Sequence, residues 1–159
     1  MNERYQVLIV EDNLTKQQEI INALPPAFRD GVLPTPSIAA AYRSVANKRF
    51  DLVILDMTFQ ISNEGGGAIA KESLAGVEVL QYMSRMRIRT PVIVATQHTN
   101  FHTVELPGID SIEKLDELLR DLFPENYVTT VHVDLSGEDW KQQLVSAAEN
   151  ALKRDLPRK

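Results

Sequence analysis

Phe50-Asp51-Leu52-Val53-Ile54-Leu55-Asp56 places four apolar strand formers in a row between two acids. A continuous apolar run of this length, with no polar alternation, fits a strand buried on both faces of a parallel sheet. Two further stretches repeat the theme. Val7-Leu8-Ile9-Val10 runs into Glu11-Asp12, and Pro91-Val92-Ile93-Val94-Ala95 runs into Thr96-Gln97. Two weaker strands complete the set. Gly31-Val32-Leu33-Pro34-Thr35-Pro36 carries two prolines, so its place is a sheet edge. Tyr127-Val128-Thr129-Thr130-Val131-His132-Val133 is the fifth strand.

Helical spacing fills the gaps between strands. Leu14, Ile20, Ile21 and Leu24 outline a first helix stopped by Pro25-Pro26. Ser37 reads as the N-cap of a second helix carrying Ile38, Ala41, Tyr42 and Val45. Val77, Leu80, Met83 and Met86 form the stripe of a third. Ile112, Leu115, Leu118, Leu119 and Leu122 form that of a fourth, ended by Pro124. Ser136 and Asp139 resemble a capping box ahead of a last helix with Trp140, Leu144, Ala147, Ala148, Ala151 and Leu152 on its apolar face. Five strand-helix repeats imply an α/β fold: a doubly wound, five-stranded parallel sheet with helices on both faces and right-handed crossovers.

Composition narrows the classes of function. The 159 residues carry 17 Lys+Arg and 22 Asp+Glu, a formal charge of −5, and no Cys. A disulfide scaffold, a thiol nucleophile and a Cys-ligated zinc site are excluded. No apolar run approaches the ~18 residues of a membrane helix. The start, Met1-Asn2-Glu3-Arg4-Tyr5, is unlike a signal peptide, so the expected location is the cytoplasm, with no membrane partner. Net acidity argues against a nucleic-acid surface. The basic tail Lys153-Arg154…Arg158-Lys159 reads as a solvated helix end. Asn63-Glu64-Gly65-Gly66-Gly67-Ala68 reads as a flexible loop within one domain spanning 1–159.

In an open α/β sheet, ligands bind beyond the carboxyl ends of the strands. Glu11, Asp12, Asp56 and Thr96 all stand at such ends. Three carboxylates and a hydroxyl at one edge repel unless a cation joins them or one takes a proton. Magnesium suits the set, since it takes one or two carboxylates with water and phosphate oxygens. Each residue alone has a simpler reading as a helix cap or strand-end turn; their joint placement points to a site.

Val-Leu-Ile-Val-Glu-Asp-Asn (7–13), Phe-Asp-Leu-Val-Ile-Leu-Asp-Met (50–57), Gly-Val-Glu-Val-Leu (76–80) and Pro-Val-Ile-Val-Ala-Thr (91–96) resemble the receiver domain of two-component response regulators. The resemblance implies the flavodoxin-like strand order 2-1-3-4-5. It implies that Asp56 is the phosphoacceptor, taking a phosphoryl group from a phosphohistidine on a histidine kinase or phosphotransfer protein. It implies that Glu11, Asp12, Asp56 and the backbone carbonyl of Thr58 hold Mg²⁺ (or Mn²⁺), and that Thr96 contacts the phosphoryl group as the switch. A downstream protein target would dock on the fourth helix, fifth strand and fifth helix, a face that could also form a homodimer. The chain would be a signalling module and not an enzyme, acting through partners because the fifth helix leaves no room for an effector domain.

Three departures from the family stand out. The family carries a Lys, usually followed by Pro, after the fifth strand, where this chain has Val133-Asp134-Leu135. Lys16 and Lys141 could reach into the pocket but are expected on solvated helix faces, so Asp134 would add negative charge to a phosphorylated pocket. The family's aromatic switch position is occupied by Val131, beside His132, which reads as a partly buried strand residue. Two connections are also long. Gly76 comes 20 positions after Asp56, and Asp134 comes 38 after Thr96. The insert at about 59–75, with Phe59, Ile61 and Ile69, would lie over the pocket as a lid or binding element, or be a surface insertion. The extension at about 98–126 lengthens the region of the fourth helix. These departures leave open a working phosphoacceptor and a pseudo-receiver that binds proteins without phosphorylation.

Other chemistries fit less well. His98 and His102 have a helical metal-pair spacing but sit in a segment with little helix signal and without a metalloprotease Glu. A phosphohydrolase with Asp56 as nucleophile needs an acid two residues on, where Thr58 stands. No Gly-x-x-x-x-Gly-Lys-Ser/Thr loop follows the first strand, so a nucleotide cradle is unsupported.

Overall fold

The computed structural model describes residues 4–57, 59–61, 71–73, 75–99 and 108–153. The order of elements is β1 (Val7–Val10), α1 (Leu14–Ala23), α2 (Pro26–Arg29), β2 (Val32–Thr35), α3 (Ile38–Asn47), β3 (Leu52–Leu55), β4 (Phe59–Ile61), β5 (Lys71–Ser73), α4 (Ala75–Arg85), β6 (Val92–Thr96), α5 (Ile112–Leu122), β7 (Tyr127–His132) and α6 (Asp139–Lys153). Five strands form a parallel sheet in the order β2-β1-β3-β6-β7. Counting only those strands, this is the expected order 2-1-3-4-5.

Alternation along each central strand divides the core into two layers. Leu8, Val10, Val53, Leu55, Val92 and Val94 face α3, α4 and α5, where they meet Ala41, Val79, Met83, Leu115 and Leu119. Val7, Ile9, Leu52, Ile54, Ile93 and Ala95 face α1 and α6, where they meet Ile20, Leu24, Trp140, Leu144 and Ala148. The proline-bearing strand lies at the edge as β2, with Leu33 exposed. No helix among the described residues is long and apolar enough to cross a membrane.

Several local expectations are corrected. Helix α1 ends ahead of Pro25-Pro26 as expected, but Pro26 also opens an unforeseen short helix, α2, whose Phe28 is buried, because proline fits the first helical position. Leu14, Met86 and Leu122 are exposed and are not part of apolar stripes. Val79 takes a place in the α4 core instead. Ser136 does not form a capping box with Asp139: its N–H and hydroxyl donate to Asp134 Oδ1 at 3.0 and 2.6 Å. The insert after Asp56 is not all loop, since β4 and β5 pair antiparallel, with Phe59 opposite Ser73, and Ala75 already belongs to α4. Residues 62–70, including Gly65, Gly66, Gly67 and Ile69, lie outside the described residues. Helix α5 itself has 11 residues.

Candidate functional site

The site begins where β1 stops. Asn13 adopts extended backbone and its side chain accepts the N–H of Lys16, which caps α1. That cap fixes the turn containing Glu11 and Asp12. The Asn13 N–H donates to Glu11 Oε2 at 3.1 Å. The Asp56 N–H donates to the Val10 carbonyl at 2.9 Å, so the acid ending β3 lies beside those ending β1. Glu11, Asp12 and Asp56 each offer a carboxylate oxygen, and these oxygens lie within 4.8 Å of one another. Glu11 and Asp56 are buried, while Asp12 is more open to solvent.

Gly76 holds α4 against this corner. Its N–H donates to the Met57 carbonyl at 3.1 Å. A Cβ there would lie 2.6 Å from the Asp56 carbonyl oxygen and 2.9 Å from Met57 Cα. Only glycine permits that approach, which sets the path of the chain leaving Asp56.

Lys16 overturns its expected placement. Its side chain is only 2% exposed, and its ammonium lies 2.6 Å from Glu11 Oε1 and 3.0 Å from Asp56 Oδ1. It also donates to the Ala95 carbonyl at 2.9 Å. One cation from α1 therefore ties together the ends of β1, β3 and β6. The local reason is geometric: helical side chains tilt toward the helix N-terminus, and Lys16, in the first turn of α1, is directed back over the strand ends. A sequence signal existed, because a cation in a first turn opposes the helix dipole and needs acids nearby. Lys141 does lie at the surface, with Glu138 at 3.1 Å and Glu19 at 3.9 Å.

Burial, foremost, together with the Asp56 charge pushes the Glu11 carboxyl up to about 7, against the opposing pull of Lys16 and the Asn13 N–H. Three carboxylates and one ammonium leave two formal negative charges if all are ionised. This donor set of hard oxygens fits a divalent cation such as magnesium, with Lys16 already on two of the oxygens.

The remaining expected residues fall as follows. Thr96 is fully buried at the end of β6, and its hydroxyl oxygen accepts the His98 N–H at 3.1 Å. Thr58 and His102 lie outside the described residues, so neither the Thr58 carbonyl nor a His98–His102 pair can be placed. Asp134 is exposed, and its hydrogen bonds from Ser136 lower its pKa. Val131 belongs to the core, opposite Ala95. His132, half-buried, lies opposite Thr96, and its Nε2 is 3.2 Å from the Gln97 carbonyl oxygen.

No family model matches the chain. It is 29% identical over 144 residues to the uncharacterized protein y4jR of Sinorhizobium fredii, covering 88% of this chain and 94% of that protein. Among solved structures it resembles the phosphorylated cyanobacterial phytochrome response regulator RcpA at a TM-score of 0.62, with 22% identity, over 97% of this chain and 99% of that one. It also resembles the Francisella response regulator 1452 receiver domain at a TM-score of 0.58, with 15% identity, over 95% and 98%. The signal receiver domain of a putative LuxO repressor protein from Vibrio parahaemolyticus matches at 0.57, with 19% identity, over 98% of both chains.

Proposed function

We propose that this chain, which has the fold of a response-regulator receiver domain, is a phosphoacceptor whose nucleophile is Asp56. The observation that carries the reading is the convergence of Glu11, Asp12 and Asp56 within 4.8 Å at the carboxyl ends of two adjacent parallel strands. A fold likeness alone would not carry it, because functions vary freely on this architecture.

An Asp56 carboxylate oxygen attacks the phosphorus of a phosphohistidine on a kinase or phosphotransfer protein. The new bond joins that oxygen to phosphorus. The phosphorus–nitrogen bond breaks, and its electron pair returns to the imidazole, which leaves with a proton from solvent. Glu11, Asp12 and Asp56, with the Thr58 carbonyl, are the groups that would hold Mg²⁺ or Mn²⁺, which when bound offsets the charge of the transferred group. Thr96, at the end of the strand beside β3, would give its hydroxyl to a phosphoryl oxygen. It would then release the contact to His98 and pass the change along β6 toward β7 and α5.

The face formed by α5, β7 and α6 would serve as the output surface for a downstream target or a second copy in the cytoplasm. Leu122, 50% exposed at the end of α5, gives that face an apolar anchor. The ribbon of β4 and β5 follows Asp56 closely in the chain.

The test is transfer of labelled phosphoryl from a phosphohistidine donor in the presence of Mg²⁺. The reading predicts a label that is absent in Asp56→Asn and in the presence of chelator. A folded protein that takes no label would favour the phosphorylation-independent interaction module.

A further inference from the structure

We propose that Lys16 is an internal competitor for the divalent cation: its ammonium holds the Glu11 and Asp56 oxygens, and metal enters only when Lys16 gives up Glu11. This deepens the phosphoacceptor reading and rests on it for the identity of the metal site.

The argument begins with the atoms. Glu11 Oε1 and Asp56 Oδ1 lie 2.6 and 3.0 Å from Lys16 Nζ. Glu11, Asp12 and Asp56 are also the group of acids near enough to share an ion. An ammonium and a hard divalent cation crowded onto the same carboxylates in one buried space compete, because their charges repel at short range and low dielectric. Glu11 has little freedom to turn away, since its other oxygen accepts the Asn13 N–H.

Lys16 does have somewhere to go. It already donates to the Ala95 carbonyl, between β3 and the Thr96 end of β6. A short swing away from Glu11 would leave it beside Asp56 and Ala95, on the side where Thr96 follows. At Glu11 the exchange replaces one positive charge by two, and with Lys16 kept beside Asp56 three positive charges meet three carboxylates. Cation entry is then coupled to the first turn of α1, which carries both Lys16 and its cap, and metal level regulates readiness of the site.

The test uses Mg²⁺ and Mn²⁺ alone, without a phosphoryl donor. Calorimetry should find at least about tenfold tighter binding in Lys16→Met than in the unaltered protein, and intermediate binding in Lys16→Gln, where an amide remains near the acids. Because loss of Lys16 can impair folding, the unaltered protein supplies a second readout. With ¹⁵N-labelled lysine, the buried Lys16 ammonium should give a slowly exchanging resonance that shifts in step with Mg²⁺ binding. Unchanged or weaker metal binding in Lys16→Met, no binding to either protein, or an unmoved ammonium resonance while metal binds would overturn the proposal. Metal competition without phosphoryl transfer to Asp56 would uphold it while removing the phosphoacceptor reading.

Discussion

Lys16 Nζ stands 2.6 Å from Glu11 Oε1, both side chains buried to 2% exposure, so the first turn of α1 is pinned to the end of β1 by an ion pair shielded from water. Shielding makes the pair costly to break, since removing one partner strands a charge in a poor dielectric. Measured in chelator at neutral pH by urea denaturation, Lys16→Met should lose about 3–5 kcal/mol of stability. Saturating Mg²⁺ should restore part of that loss through preferential binding to the folded state. A loss under about 0.5 kcal/mol, typical of a surface change, would mean the ammonium is not held there.

Asn13 links the same pair to the helix. Its side chain caps α1 by accepting the Lys16 N–H at 2.9 Å. Asn13→Ala should cost about 1 kcal/mol, read by thermal or urea unfolding. It should also broaden the Lys16 ammonium resonance, because the turn that aims the side chain loses its anchor. Asn13→Asp, which keeps an acceptor, should retain the stability.

Gly76 controls the other side of the site. A methyl group added there would meet backbone atoms of Asp56 and Met57, not flexible side-chain ends. Gly76→Ala should therefore destabilise by about 1–3 kcal/mol, the usual cost of overpacking. It should weaken Mn²⁺ binding as well, because the chain around Asp56 must shift. Gly137→Ala is the control: its nearest neighbours would lie at 3.8 Å, and Mn²⁺ binding should be unaltered.

Tyr127 connects β7 to α5. Its hydroxyl is 2.6 Å from Asp116 Oδ1 and 2.5 Å from Thr130 Oγ1. Burial, first, and the bond to Asp116 raise its pKa well above the ordinary 10.0. The folded chain therefore keeps this proton at a pH where the unfolded chain releases it. The contribution is full below pH 10.0 and falls as pH rises beyond it, following the excess of protons bound to the folded state. Tyr127→Phe should cost about 1–2 kcal/mol at neutral pH. Above roughly pH 10 the difference from the unaltered protein should shrink. Denaturation across that range checks both the size and the sign.

The sheet was readable because its strands obey strong rules. Uninterrupted runs such as Leu52-Val53-Ile54-Leu55 fit only a strand covered on both faces, and Pro34 and Pro36 force an edge. The acids were readable for a related reason, since parallel strands deliver their ends to one rim. Lys16 was legible only through its unfavourable place in a first turn, because periodicity says which helix face a residue shares but not how far a long side chain reaches back over a strand end. Helix α2 was missed because proline both stops and starts helices. Ser136 was misread because its hydroxyl had a nearer acceptor in Asp134. The ribbon of β4 and β5 pairs three residues from each strand, too short a stretch for alternation to declare itself.

The central claim, that Asp56 takes a phosphoryl group, is tested most directly by chemical marking of the acyl phosphate. The protein is incubated with phosphoramidate, which shares the phosphorus–nitrogen bond of phosphohistidine, and Mg²⁺, then reduced with borohydride and sequenced by mass spectrometry. Homoserine at position 56, absent without the donor and absent in Asp56→Asn, is the result expected. A folded, metal-binding protein with unmodified Asp56, or with the mark at Glu11 or Asp12 instead, would contradict the account.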